Sequence, residues 1–179
     1  LAHADPASEL PAGMLALGGS FRVKGPSGER EIAVEDFYTG LFGTALEGDE
    51  MLVEVEIPTM APNTGWAFQE VSRRHGDFAL AGIAAAVTVD EEGRCKTSRI
   101  ALFGVGDAPV MAREAGALLE GQRPTPEAIR EAAQAAAQRD VDPPADIHAS
   151  ADYRRSLVEV LVRRALPIAL ERAGAHHLR

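Results

Sequence analysis

FQEVSRRHGDFALAGIAAAV, residues 68–87, decides how the chain is read. It divides into strand, loop and strand. Trp66 to Ser72 predicts a strand. RRHGD at 73–77 is a charged loop, and Gly76 gives it the freedom for a tight backbone. Leu80 to Val89, rich in Ala and Val, predicts a second strand that closes at the hairpin turn DEEGR, residues 90–94. Thr97 to Val105 predicts a third. Strands joined by short turns pair antiparallel, so the middle of the chain predicts a small three-stranded antiparallel sheet.

Downstream the period changes. Val110 to Leu119 and Glu127 to Arg139 predict Ala-rich helices on either side of GQRPTP, with Thr125–Pro126 as N-cap and first helical position. DVDPPADIHAS at 140–150 is a loop, because adjacent prolines exclude a helix. Asp152 to Ala173 predicts the longest helix. Its expected apolar stripe is Tyr153, Leu157, Leu161 and Ile168, with Arg154, Arg155, Arg163 and Arg164 on the other faces. Pro167 is expected to kink or split its end.

Upstream, Ala7 to Leu17 predicts a short helix with Asp5 as N-cap, Pro11 placed awkwardly early, and Gly18–Gly19 ending it. Ser20 to Lys24 and Glu29 to Val34 predict a hairpin around GPSG at 25–28. Asp36 to Leu41 predicts a short aromatic-rich helix or turn. Met51 to Ile57 alternates Met51/Val53/Val55/Ile57 against Leu52/Glu54/Glu56, the pattern of a half-buried strand. Pro58 to Thr64 marks a linker and a domain boundary. Because the chain opens at Leu1 on structured-looking sequence, it is expected to begin partway through a larger protein.

The 179 residues are 46% hydrophobic and 25% charged, the balance of a globular protein. With 18 basic and 27 acidic residues, the net charge of −9 argues against nucleic-acid and membrane-surface roles. No apolar run reaches the roughly 20 residues of a membrane span. One cysteine, Cys95, excludes an internal disulfide framework, an iron–sulfur cluster and a Cys-type zinc site, and makes a reducing cytoplasm the default compartment.

Several motifs are missing: GxxxxGK[ST], a GxGxxG after a strand, GxSxG and HExxH. Gly104-Val105-Gly106 reads as a turn, and His176 and His177 as an exposed tail. His148, two residues after Asp146, reads as a loop hydrogen-bonding residue more readily than a metal ligand. Three segments remain. HADPASE at 3–9 is either a helix cap or a set of amides and polar side chains able to hold an anion or a sugar hydroxyl. QEVSRRHGDFAL at 69–80 is either a solvated hairpin or a ligand loop with Phe78 as an apolar cover. DIHASADYRR at 146–155 reads as a helix start capped by Ser150 or Asp152.

In order along the chain, LAHADPASELPA, the run ending EVEIP, FQEVSRRHGDFALAGIAAAV, RIALFGVGDAPV and DIHASADYRR resemble the second half of one protein family. It is the FAD-binding medium subunit of molybdenum hydroxylases, the group of aerobic carbon-monoxide dehydrogenase and xanthine dehydrogenase. The resemblance runs from Leu1 to about Ala173. It implies an α+β fold in two parts. Residues 1–60 would be the remnant of the second lobe of a vanillyl-alcohol-oxidase-type FAD domain. Residues 61–179 would be the family's C-terminal domain, a three-stranded antiparallel sheet with a helical bundle.

The resemblance also implies roles. Two glycine-rich loops that grip the FAD pyrophosphate would precede Leu1. His3, Ala4, Asp5 and Pro6 would lie along the cofactor, and Glu9 would hydrogen-bond to it. Leu52 would stand against the flavin. Gln69 occupies a position where xanthine dehydrogenases carry a lysine near the ring, and the loop from Glu70 to Leu80 would approach the isoalloxazine, with Asp77 and Phe78 nearest. No residue here need be catalytic toward the organic substrate. Electrons would pass from a molybdenum cofactor in a large subunit, through two [2Fe-2S] clusters in a small subunit, to FAD and then to an external acceptor. The expected partners are those two subunits and the N-terminal half of the FAD subunit. The alternative is a non-catalytic domain that only docks subunits and carries no cofactor.

Overall fold

The computed structural model describes residues 1–174; His176 and His177 lie outside them. Helix α1 (Glu9–Leu17) starts two residues later than predicted, after Ser8 in extended backbone. Asp5 is therefore not its cap; the Asp5 carboxylate accepts the Ala7 amide at 2.9 Å and closes a turn ahead of the helix. The later start puts Pro11 in the first turn, where a missing N–H costs no helical bond. At the other end Gly18 takes the left-handed conformation (φ 67°), and the Gly18 and Gly19 amides reach back to the Leu15 and Met14 carbonyls.

β1 (Ser20–Gly25) and β2 (Gly28–Ala33) form the expected hairpin. A single turn, α2 (Val34–Phe37), leads to the short ladder of β3 (Tyr38–Gly40) with β4 (Gly43–Thr44). β5 (Met51–Glu56) pairs with β1, giving a sheet of order β2-β1-β5. The predicted apolar face of β5 is not buried: Met51, Val53, Val55 and Ile57 are all between 38% and 69% exposed, and Leu52 is the residue that packs on the core. β5 is an edge strand with a register shift opposite Arg22/Val23, so its alternation finds no second layer among the described residues.

After the linker come β6 (Thr64–Ser72), β7 (Ala79–Val89), β8 (Cys95–Phe103) and β9 (Val110–Met111), antiparallel in the order β6-β7-β8-β9. The sheet thus has four strands rather than three. Its extra strand comes from the start of the predicted Val110–Leu119 helix, where Val110 and Met111 pair with Leu102 and Ala101. What remains helical is α3 (Arg113–Ala117), whose Glu114 and Ala115 amides donate to the Asp140 carboxylate, each at 3.0 Å. α4 (Pro126–Ala135) begins at Thr125, which accepts the Ala128 amide, and ends in a wider π turn at Ala136–Asp140. α5 (Ala151–Arg172) is capped by Ser150, which accepts the Tyr153 amide.

Both faces of β7 are covered, which is why it reads as an unbroken apolar run rather than an alternation. Ala81, Ile83, Ala85 and Val87 share a core with Ile100, Leu102 and the helices. Ala79 and Ala84 face the other way, with Ala101 and Phe103, onto α1, Phe21 and Phe37. The second cluster thus joins the segment before the linker to the sheet after it. Arg99 of β8 adds a polar tie, donating to the Leu15 and Ala16 carbonyls at the end of α1 and pairing with Glu35.

α5 differs from its predicted stripe. Its buried face is Arg154, Val158, Leu161, Val162, Ala165, Leu166, Ala169 and Leu170, whereas Tyr153 is 49% exposed. The helix also runs through Pro167 without splitting. The buried residues on either side of the proline hold that turn against the sheet while one backbone bond is missing. No helix among the described residues is long and apolar enough to cross a membrane.

Candidate functional site

The opening segment and the charged loop meet. Gly104, just past β8, donates its amide to the Pro6 carbonyl at 2.8 Å and so ties the opening segment to the sheet. The 73–78 loop turns through Gly76 (φ 79°), next to which a side chain would meet only open space. Asp77 anchors this loop. It accepts from Arg73 at 3.0 Å and from the Phe78 amide at 3.1 Å, with Arg74 at 3.7 Å. Burial alone would raise the Asp77 pKa, but the two arginines and the amide outweigh it and hold the carboxyl below its ordinary range.

Two clefts flank the Asp77–Phe78 turn. The smaller, about 180 Å³, lies between Ala7, Ser8 and Glu9 on one side and Glu70, Gly76, Asp77 and Phe78 on the other. The larger, about 210 Å³, is bounded by Pro6, Ala7, Arg73, Asp77 and Phe78 together with Gly104, Asp146, His148 and Arg154. Ser8 makes no side-chain cap to α1, so the helix presents unsatisfied amides beside the smaller cleft. Phe78 is 68% exposed at its rim. Ala4, buried just upstream, sits at φ 53°, a conformation that costs an L-residue about 1 kcal/mol or more and that the surroundings must enforce.

The structure brings together Pro6, Glu9, Asp77 and Phe78. Ala4 and Asp5 are adjacent in the chain and shape its path. His3 lies against Phe42, with ring centroids 5.2 Å apart. Leu52 packs against the cluster that holds Phe21, Val23 and Phe37 and lines neither cleft. Gln69 also lines neither. It lies between Ala67 and Val71, which pack on the helix-side core, and pairs with Ile83. The β6 residue that reaches the smaller cleft is Glu70. Its pKa is raised, first by burial and then by the charge of Glu9, with His75 offsetting part of the effect. The alternation Trp66, Phe68, Glu70 carries that information in the sequence.

Sequence reasoning misses Arg154, which is expected off the apolar stripe of the last helix but is 5% exposed. The His148 amide donates to Asp146 at 2.8 Å, a loop contact. No cluster of three or more His, Cys, Asp or Glu able to hold a metal exists among the described residues. Cys95 is buried, and burial together with the Glu120 charge pushes its thiol up to about 12, which leaves it inert as a nucleophile.

The profile of a family described as the FAD binding domain in molybdopterin dehydrogenase matches residues 1–60, and that of the CO dehydrogenase flavoprotein C-terminal domain matches residues 66–169. The chain is 39% identical to the 6-hydroxypseudooxynicotine dehydrogenase complex subunit alpha of Paenarthrobacter nicotinovorans, over 97% of this chain and 58% of that one. It is 36% identical to the carbon monoxide dehydrogenase medium chain of Afipia carboxidovorans, over 96% and 59%. Among solved structures, the carbon monoxide dehydrogenase of Hydrogenophaga pseudoflava that lacks the Mo-pyranopterin moiety superposes with a TM-score of 0.91. That match has 36% identity and covers 96% of this chain and 59% of the other. The chain thus spans about three fifths of the length of each of these three relatives.

Proposed function

We propose that this chain, which belongs to the CO dehydrogenase-type flavoprotein subunits of the molybdenum hydroxylases, forms one wall of an FAD site and helps relay electrons through it. The observation that carries the reading is the shared cleft. Pro6 to Glu9 come from the segment matched by the FAD-domain profile, and Asp77 and Phe78 from the segment matched by the C-terminal-domain profile. Both line the same two depressions.

The donor set suits FAD. The uncapped amides at the start of α1 can receive ligand oxygens, and Glu9 can accept from a ligand N–H or hydroxyl. Phe78 offers an apolar surface at the rim, and Asp77, held ionised by Arg73, fixes the loop that carries it. FAD supplies a ring that takes up electron pairs and gives them back singly or in pairs. The residues of this chain orient that ring, shield it from water and set the polarity around it. His3, Ala4 and Asp5 continue the same edge. Two clefts of this size hold only part of so large a cofactor, as expected of a chain that spans part of its relatives' length.

In this reading residues 1–60 close the FAD-binding domain and residues 61–179 form the C-terminal domain. Electrons reach the flavin from [2Fe-2S] clusters in a small subunit, which are fed by a molybdenum cofactor in a large one, and the remainder of the FAD subunit supplies the pyrophosphate grip. The test is FAD content in the protein that contains this chain. The double variant Asp5→Ala, Glu9→Ala is expected to lose FAD at least tenfold more readily. Unchanged occupancy and affinity would remove this edge from the site.

A further inference from the structure

Arg154 lies in the first turn of α5, 5% exposed, and its guanidinium is spent on backbone and one carboxylate. It donates to the carbonyls of Leu80 and Gly104, the latter at 3.0 Å, and to the Asp146 carboxylate at 2.7 Å; Nε has no partner. The two carbonyls belong to the two sides of the cleft. Leu80 is the second residue past the 73–78 loop, and Gly104 is the residue whose amide holds Pro6. The β7–β8 ladder stops at Gly82–Phe103, so beyond it the strands no longer pair with each other. One guanidinium takes over where the ladder ends.

Asp146 aims it. That carboxylate also accepts the His148 and Ala149 amides at 2.8 and 3.0 Å. Burying a guanidinium is costly and stabilises little by itself, but both carbonyls accept from Nη1, whose two N–H directions are fixed in the guanidinium plane, while Nη2 is held by Asp146; a lysine ammonium turns freely and has no such second arm. We propose that Arg154, oriented by Asp146, is a positioning residue that sets the separation between the Pro6–Ala7 segment and the Asp77–Phe78 loop. The inference rests on the FAD reading above for its consequence, and on the clamp alone for its geometry.

The test uses Arg154→Lys and Asp146→Asn in the FAD-loaded protein that contains this chain. Arg155→Lys is the control, since Arg155 holds the Ala137 and Val141 carbonyls and Asp142 and lines neither cleft. Two readouts are taken beside thermal stability: hydrogen exchange of the Gly104 amide, and flavin fluorescence. Arg154→Lys is expected to speed Gly104 exchange at least tenfold and change flavin fluorescence at least twofold. Asp146→Asn should do the same to a smaller extent, and Arg155→Lys should leave both within twofold. Gly104 exchange and fluorescence within twofold of the unaltered protein in Arg154→Lys would overturn the proposal. If that variant does not fold, Asp146→Asn decides on the same criteria. If the unaltered protein holds no FAD, the flavin reading fails, and Gly104 exchange still judges the clamp.

Discussion

The two larger sheets of this protein both carry apolar residues along their strands and meet opposite fates. In the β6–β9 sheet, Ile83, Val87, Ile100 and Leu102 are completely buried under the helices, and the opposite face rests on α1 and Phe21. In the β2-β1-β5 sheet, Phe21 and Val23 are buried, but the Val and Met residues of β5 stand in solvent. Strands form and pair in both places. Burial follows from whether a second layer exists to cover it, and that is a property of the whole fold rather than of the strand.

The largest effect should come where the covered sheet has least room. A Cβ on Gly65 would lie 1.9 Å from the Ala169 carbonyl oxygen and 2.4 Å from the Ala173 amide nitrogen, so α5 rests directly on the β6 backbone. Gly65→Ala is expected to cost on the order of 3 kcal/mol, because backbone on both sides must move. Chemical denaturation measures it; a cost below about 1 kcal/mol would mean that the helix is not seated as described. Next comes Leu166→Ala, a fully buried truncation on the same helix, at about 2–5 kcal/mol.

The tie between the two sheets ranks below these. Arg99→Met removes three donations to the end of α1 and the pair with Glu35, at a cost of about 1–2 kcal/mol. Its signature is loss of cooperativity. Tryptophan fluorescence, which reports Trp66 in the β6–β9 sheet, should then unfold at a different denaturant concentration from far-UV circular dichroism. Coincident transitions would mean that the shared apolar cluster couples the regions without the arginine.

What the sequence showed, and what it hid, follows the same divide. β6, β7 and β8 are legible because apolar runs bounded by charged, Gly-containing turns are local signals. β9 is not, because a two-residue strand exists only through its pairing with Leu102 and Ala101. An ordered resemblance singles out Pro6, Glu9, Asp77 and Phe78; no spacing rule joins residues about 70 positions apart. The resemblance puts Gln69 near the ring and starts the approaching loop at Glu70; alternation from Trp66 and Phe68 separates the two and points to Glu70. The helix pattern leaves Arg154 off the apolar stripe, because a charge on a helix usually belongs there. Its carbonyl partners lie 74 and 50 positions away and leave no mark near it.

Lowering the pH should loosen the cleft loop before either sheet. The Asp77 pKa is depressed in the folded protein, so its contribution is present above the unfolded carboxylate value, about 4, and is lost as pH falls through the folded value. Protonation releases Arg73 and the Phe78 amide. Trypsin cannot be used at such a pH, so the readout is hydrogen exchange of residues 73–78, corrected for the intrinsic pH dependence. Protection is expected to fall with pH in the native chain and to be low and flat in Asp77→Asn. A native profile as flat as that of the variant would mean that the carboxylate does not hold the loop.

The smallest effect is expected at β5, and it sharpens the comparison most. Val→Thr keeps the β-branched shape and exchanges a methyl group for a hydroxyl. At Val53, 47% exposed, that hydroxyl stays hydrated, and stability should change by no more than about 0.5 kcal/mol. At Val162, fully buried under the sheet, the same exchange strands a hydroxyl away from water and should cost about 1–3 kcal/mol. The pair therefore measures coverage rather than strand or helix propensity. Denaturation at two protein concentrations completes the experiment. A cost at Val53 comparable with that at Val162, growing with concentration, would mean that the chain buries β5 against a second copy of itself, and the contrast between the sheets would then be one of assembly rather than of fold.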